Sequence, residues 1–252
     1  MSVRKLMTGP RRVCVTAGMV FSLLGWVAAA AQTATEGLAL CRADTESVAA
    51  RIAACTRTIE ERGGDVAARA EAFLQRGILH EQGGEREAAV RDYTETIKLD
   101  QGNALAYFNR GNAYDQLEQV DLAIADYTQA IKLDPTDPDF FNNRGQTYDS
   151  RGEHDLAIAD YTEAIRLDST DAQPFYNRGL SYANKGDYQQ AIAEFDAAIK
   201  LAPKDTDLYV ARGAAHEELG NQSAARADYG KALEIDADNE DALEGLSRLG
   251  GG

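Results

Sequence analysis

Five glycines, Gly77, Gly111, Gly145, Gly179 and Gly213, stand 34 residues apart without a slip. Ala89, Ala123, Ala157, Ala191 and Ala225 keep the same period. So do two sets of rings: Phe73, Tyr107, Phe141, Phe175 and Tyr209, then Tyr93, Tyr127, Tyr161, Phe195 and Tyr229. A period held in four registers through five copies confines the chain to a repeat architecture, each copy packing on its neighbours. Five units tile residues 70–239, as 70–103, 104–137, 138–171, 172–205 and 206–239.

The first half of each unit puts its aromatic residue, its glycine and a third-turn Tyr or His on one helical face. A break such as GGE, GEH or GDY follows and supplies the glycine that ends a helix. The second half, as in LAIADYTQAIKL, repeats apolar residues at i, i+3, i+4 and i+7. The Gly and Ala registers let the two helices approach closely. One helical hairpin cannot bury its own apolar face, whereas stacked copies can. The predicted fold is all-α, a right-handed α-α superhelical solenoid of helical hairpins.

At this level of detail the units resemble tetratricopeptide repeats. Tyr107, Gly111, Tyr114, Ala123, Tyr127, Ala130 and Pro135 match every register of that family's pattern in one unit. Departures are mild: His80 and His216 replace the first-helix Tyr, Thr96 replaces the last Ala, and the unit-end Pro occurs only as Pro135 and Pro203. The resemblance implies that the first helices line a concave face along which a partner peptide lies. Carried over register by register, that groove holds Leu74, Gln75, Ile78, Phe108, Asn109, Asn112 and Gln116. It continues through Asn142, Asn143, Gln146, Tyr176, Asn177, Leu180 and Asn184. Amides there can donate to and accept from a peptide backbone, with Phe108 and Tyr176 as apolar anchors, or they are merely solvated. The family members that bind chaperone C-termini clamp a carboxylate with Lys and Arg. The corresponding registers here hold Glu71, Leu105, Asp139, Gln173 and Asp207, so no such clamp is expected.

Arg76, Arg110, Arg144, Arg178 and Arg212 precede the glycines, and sixteen residues on an acid recurs as Asp92, Asp126, Asp160, Glu194 and Asp228. Because the acids track the arginines copy for copy, the expectation is an ion pair, within one hairpin or to the adjacent one. The alternative is an anion-binding ladder of arginines.

The rest of the chain bounds the setting. Residues 1–31 carry Arg4, Lys5, Arg11 and Arg12 with no acid, then an apolar run from Val13 to Ala31 that ends in alanines. That order is expected of an export signal cleaved near Gln32, or of a retained anchor. Either places the remainder outside the cytosol, in the periplasm or anchored to the inner membrane facing it. Without these residues 22 basic residues face 41 acidic ones, a formal charge of −19 that argues against nucleic acid as partner.

Cys14 lies in the leader, leaving Cys41 and Cys55 as an expected disulfide in an oxidising compartment. The bridge would pin a degenerate first hairpin within 32–69, with Cys55 in the Tyr127 register and a longer joint near Gly63-Gly64. The paired-Cys leader is similar to exported bacterial proteins of the family. Residues 240–252 form a capping helix and tail.

His80 and His216 are expected as packed ring replacements, and His154 as a turn residue facing water. No metal spacing, phosphate loop or nucleophile-base set occurs, so neither cofactor nor catalysis is expected. The function expected is a scaffold or adaptor that holds a protein segment in its groove. The alternative is a solenoid that assembles on itself.

Overall fold

In a computed structural model of the chain, residues 37–44, 46–61 and 63–250 are described. The leader lies outside them. Among the described residues there are thirteen helices and no strand. A short α1 (37–42) and α2 (Val48–Glu60) form the N-terminal hairpin. The five units follow as α3 (Val66–Gln82) with α4 (Arg86–Leu99), α5 (Ala104–Gln116) with α6 (Val120–Leu133), and α7 (Pro138–Ser150) with α8 (His154–Leu167). Next come α9 (Gln173–Asn184) with α10 (Tyr188–Leu201), and α11 (Thr206–Glu218) with α12 (Gln222–Ile235). Helix α13 (Glu240–Arg248) closes the end. None of these helices is long and apolar enough to cross a membrane.

The starts and stops follow from side chains in register. Asn103, Asp137, Asp205 and Asn239 each accept a hydrogen bond from a backbone N–H of the first turn that follows. These bonds satisfy donors that a helix end leaves open. Helix α3 begins at Val66, ahead of the first unit's expected start at residue 70, because Asp65 caps it. The chain turns between paired helices on a left-handed residue, which is Gly84, Gly152, Gly186 or Gly220 in four units. Glu118 occupies that place in the second unit at φ 59°.

Close approach explains the other glycine register. A Cβ at Gly77 would stand 2.6 Å from the Tyr93 ring, and one at Gly179 would stand 2.6 Å from the Phe195 ring. Rings at Tyr93, Tyr127, Tyr161, Phe195 and Tyr229 are buried, as are the five alanines of the repeat register. Thr96, where other units have Ala, is tolerated in this core because its hydroxyl donates to the carbonyls of Ala70 and Asp92.

Successive first helices touch one another, α3 to α5, α5 to α7, α7 to α9, α9 to α11 and α11 to α13, whereas no two second helices do. The solenoid therefore curves around the first helices, and their outward registers form its inner, concave face. At the N-terminal end Cys41 of α1 and Cys55 of α2 are joined in a disulfide, both fully buried beside Ala54 and Leu79. The offset of this hairpin shows in one bond. Arg76 reaches Thr56 twenty residues back, while Arg110 reaches Thr94 sixteen residues back.

Candidate functional site: the concave face

The register arginines do not face the groove. Arg76, Arg110 and Arg144 each clasp the acid of their own hairpin with Nε and Nη2, at 2.7–2.8 Å. Arg212 holds Asp228 the same way at 2.9 and 2.6 Å, and Arg178 holds Glu194 through Nη2 alone at 2.7 Å. The third donor, Nη1, crosses to the preceding hairpin, to Thr56, Thr94, Thr128, Thr162 or Asp196. Each guanidinium also lies 5.5–6.0 Å from the ring three residues earlier. The acids Asp92, Asp126, Asp160 and Asp228 are buried. Burial of Arg110 and Arg144 is the largest influence and favours the neutral form, but the bond to the acid and the negative charge beside the guanidinium together outweigh it, and the pKa still rises. Each guanidinium is thus committed to an acid of its own hairpin, as the ion-pair reading expects and an anion-binding ladder does not.

The groove amides are more committed than their residue types suggest. Asn112 Oδ1 accepts from the Tyr127 hydroxyl at 2.8 Å and from Asn143 Nδ2 at 2.9 Å. Asn177 Nδ2 donates to Asn142 Oδ1 at 3.1 Å, and Gln173 Nε2 donates to Asn177 Oδ1 at 2.9 Å. These bonds link α5 to α7 and α7 to α9. The expectation of amides open to a peptide backbone is therefore corrected at Asn112, Asn142, Asn143 and Asn177. Juxtaposed first helices bring the amides within reach of each other, and Asn177 is buried. Gln75 donates to Glu71, and Gln116 accepts from Arg86.

Asn109, Gln146 and Asn184 have no side-chain hydrogen bond to any described residue, and Gln146 and Asn184 are exposed. Leu74 is buried in the core with Tyr93, and Ile78 packs beside it. Phe108 is no free anchor either: its ring rests 4.8 Å from that of Phe140 and 5.8 Å from that of Tyr127. Tyr176 lies 5.9 Å from Phe195, with Leu180 in the same cluster.

Sequence reasoning missed a register of acids. Glu81, Asp115, Asp149 and Glu217 recur every 34 residues at the last turn of the first helices or next to it, and Ala183 replaces them once. Tyr93, Tyr161 and Tyr229 donate their hydroxyls to Glu81, Asp149 and Glu217, twelve residues back. Thr147 and Ser181 of the next first helix donate to Asp115 and Asp149. The signal was available, since the alanine occurs in the unit where Phe195 has no hydroxyl to place. Burial, reinforced by these carboxylates, raises the pKa of Tyr93, Tyr127 and Tyr161, and that of Tyr229 is pushed up to about 12. Glu81 and Asp115 open on a cavity of about 280 Å³ lined also by Asn112, Gln116, Tyr127, Asn143 and Gln146.

The histidines fall into the frame. His80 Nδ1 meets Glu85 at 2.7 Å. His154, expected in a turn facing water, instead begins α8 and bonds Asp149 at 2.8 Å. His216 is packed, but its buried Nδ1 has no partner among the described residues. No group of three or more His, Cys, Asp or Glu among them could hold a metal ion.

Comparison with known proteins agrees with this geometry. Family models described as tetratricopeptide repeat match residues 104–137, 126–159, 172–205 and 206–239, and one described as TPR repeat matches 147–186. Among solved structures, YrrB, described as a TPR protein with an unusual peptide-binding site, is 25% identical with a TM-score of 0.65. The match covers 77% of this chain and 97% of YrrB. MamA is 26% identical with a TM-score of 0.62, over 64% of this chain and 94% of MamA. A tetratricopeptide repeat protein from Parabacteroides merdae ATCC 43184 shares the fold at 16% identity and a TM-score of 0.68, over 87% of this chain and 93% of that one. No curated protein sequence matches the chain.

Proposed function

We propose that this chain, which belongs to the tetratricopeptide repeat family, is a non-enzymatic scaffold of the cell envelope that holds a segment of a partner protein along its concave face. One observation carries the reading. The first helices line the inner curve, and there Asn109, Gln146 and Asn184 offer amides that the fold itself leaves unused. Such amides suit an extended backbone, whose donors and acceptors alternate. The similarity to YrrB, described as a TPR protein with an unusual peptide-binding site, supports the same reading.

Export rests on the basic-then-apolar leader and on the Cys41–Cys55 pair, since a buried disulfide endures in an oxidising compartment. Sequencing the N-terminus of the protein from its host is expected to return a start near Gln32. Its mass without reductant is expected to show no free thiol, and two free thiols would remove the bridge.

The groove is tested by in-cell crosslinking. A photoreactive residue at Gln146 is expected to capture a partner that one at Lys132, exposed on the second helix α6, does not. Changing Asn109, Gln146 and Asn184 together to Ala is expected to abolish co-purification of that partner without loss of helicity. Capture from Lys132 alone would move the site off the inner curve.

A further inference from the structure

The inner face is uneven in charge, and the repeats serve as controls for one another. Glu217 is met by the guanidinium of Arg248 at 3.2 Å, which holds its carboxyl below the usual range, and Asp149 is met by His154. Glu81 and Asp115 have no such company. Their side-chain partners among the described residues are the neutral hydroxyls of Tyr93 and Thr147, at 2.8 and 3.0 Å. The two carboxylates lie on successive first helices, α3 and α5, and open on the same cavity of about 280 Å³. No lysine lies on α3, α5, α7 or α11, and none on α9. Their arginines are Arg69 and the five clasped by second-helix acids or hydroxyls, and Arg86 of α4, at the cavity's rim, is bonded to Gln116 rather than to either acid.

Beyond this polar stretch the same face turns apolar. Tyr176, Leu180 and Ala183 on α9 are only partly buried, as are Val210 on α11 and Ala211 beside it. A cavity of this size takes a side-chain head, not a folded element, and two carboxylates on one cavity, Glu81 half-buried and Asp115 exposed, neither bonded to a cation of the described residues, favour a cation. The amide oxygen of Gln146 at the rim, which the fold leaves without a partner among the described residues, suits an N–H donor of an ammonium or guanidinium group.

We propose that the α3–α5–α7 cavity receives a lysine or arginine side chain of the partner segment, and that the apolar stretch of α9 and α11 receives an apolar residue further along that segment. The proposal deepens the groove reading above and rests on it. The partner is thus an extended segment with a basic residue and an apolar residue set apart, and its binding is weakened by salt.

The probes are short acetylated and amidated Ser-Ala peptides carrying one Lys and one Leu at graded separations, with matched peptides in which Glu replaces Lys. They are titrated into the full-length protein and followed by the NMR shifts of its side-chain amides and methyl groups. Lys-Leu peptides are expected to shift Asn112, Asn143, Gln146 and Leu180, and Glu-Leu peptides to shift none. Glu81→Gln with Asp115→Asn keeps acceptors for Tyr93 and Thr147. It is expected to weaken binding about tenfold, equivalent to about 1.4 kcal/mol, and to remove most of the salt dependence. Gln146→Lys, which supplies an internal cation and leaves both acids in place, is expected to block the Lys-Leu peptides. Equal binding of Glu-Leu peptides, or unchanged affinity in both variants with shifts still in the groove, overturns the cation site and leaves the groove standing. Shifts confined to the second helices, or no binding by any peptide, overturn both.

Discussion

Arg178 is the register arginine whose Nε is buried without a partner among the described residues. The cause is one methylene. Glu194 is longer than the Asp found in the other four units, so one carboxylate oxygen meets Nη2 and none meets Nε. Glu194→Asp is expected to restore the two-pronged clasp and add about 1 kcal/mol, read as a higher denaturant midpoint with an unchanged slope. Glu118 is a second local misfit, a side chain at φ 59° where the other units have glycine. The left-handed conformation costs a non-glycine residue about 1–2 kcal/mol, and glycine's unfolded-state entropy returns part of that. Glu118→Gly is therefore expected to stabilise by up to about 1 kcal/mol, a rise of about 2–4 °C in Tm for a chain of this size. Unchanged or lowered melting would mean that the turn is held by something other than its backbone.

At the scale of the element, each arginine fastens three helices. Arg110 joins α5 to α6 through Asp126 and reaches back to α4 through Thr94. With Asp126 removed, a guanidinium of low exposure keeps its charge and loses its partner. Asp126→Ala is expected to cost about 3 kcal/mol by chemical denaturation. Arg110→Met with Asp126→Leu is expected to cost much less, because neither change then leaves a stranded charge. In a chain of nearest-neighbour units the damage is local, so hydrogen exchange is expected to quicken in α4, α5 and α6 before α11 and α12. Uniform loss of protection would contradict that independence.

Across the whole molecule, four buried tyrosines share one environment, with Tyr93, Tyr161 and Tyr229 donating to carboxylates and Tyr127 to Asn112. All four are held protonated beyond the ordinary pKa of about 10. A proton retained in the folded state and lost from the unfolded one stabilises below the unfolded pKa, and that stability declines as pH rises above it. Unfolding free energy is expected to hold level up to pH of about 9 and then fall steeply above about 10. The tyrosinate absorbance is expected to show these four of the 11 tyrosines ionising only as the helices melt. Ionisation of all 11 before loss of helicity would remove the buried hydroxyl ladder from the account.

The unit, its length and its packing registers are all legible in the order of residues alone. Those depend on contacts within one hairpin or between identical neighbours, and such contacts print themselves as a 34-residue period, as at Gly111 and Tyr127. The Arg110 and Asp126 registers were likewise legible as sixteen-residue companions. Which amides are left for a partner was decided only by tertiary structure. Asn112 and Asn143 are of the same type as Asn109, but stacking α5 on α7 puts the first two within 2.9 Å and leaves the third free. Likewise Glu81 and Asp115 belong to the same acid register as Asp149 and Glu217. Only the positions of His154 and Arg248 in space separate Asp149 and Glu217, which they bond, from the two acids that share an open cavity. Periodicity records what every unit repeats, and the candidate binding site lies where the units differ.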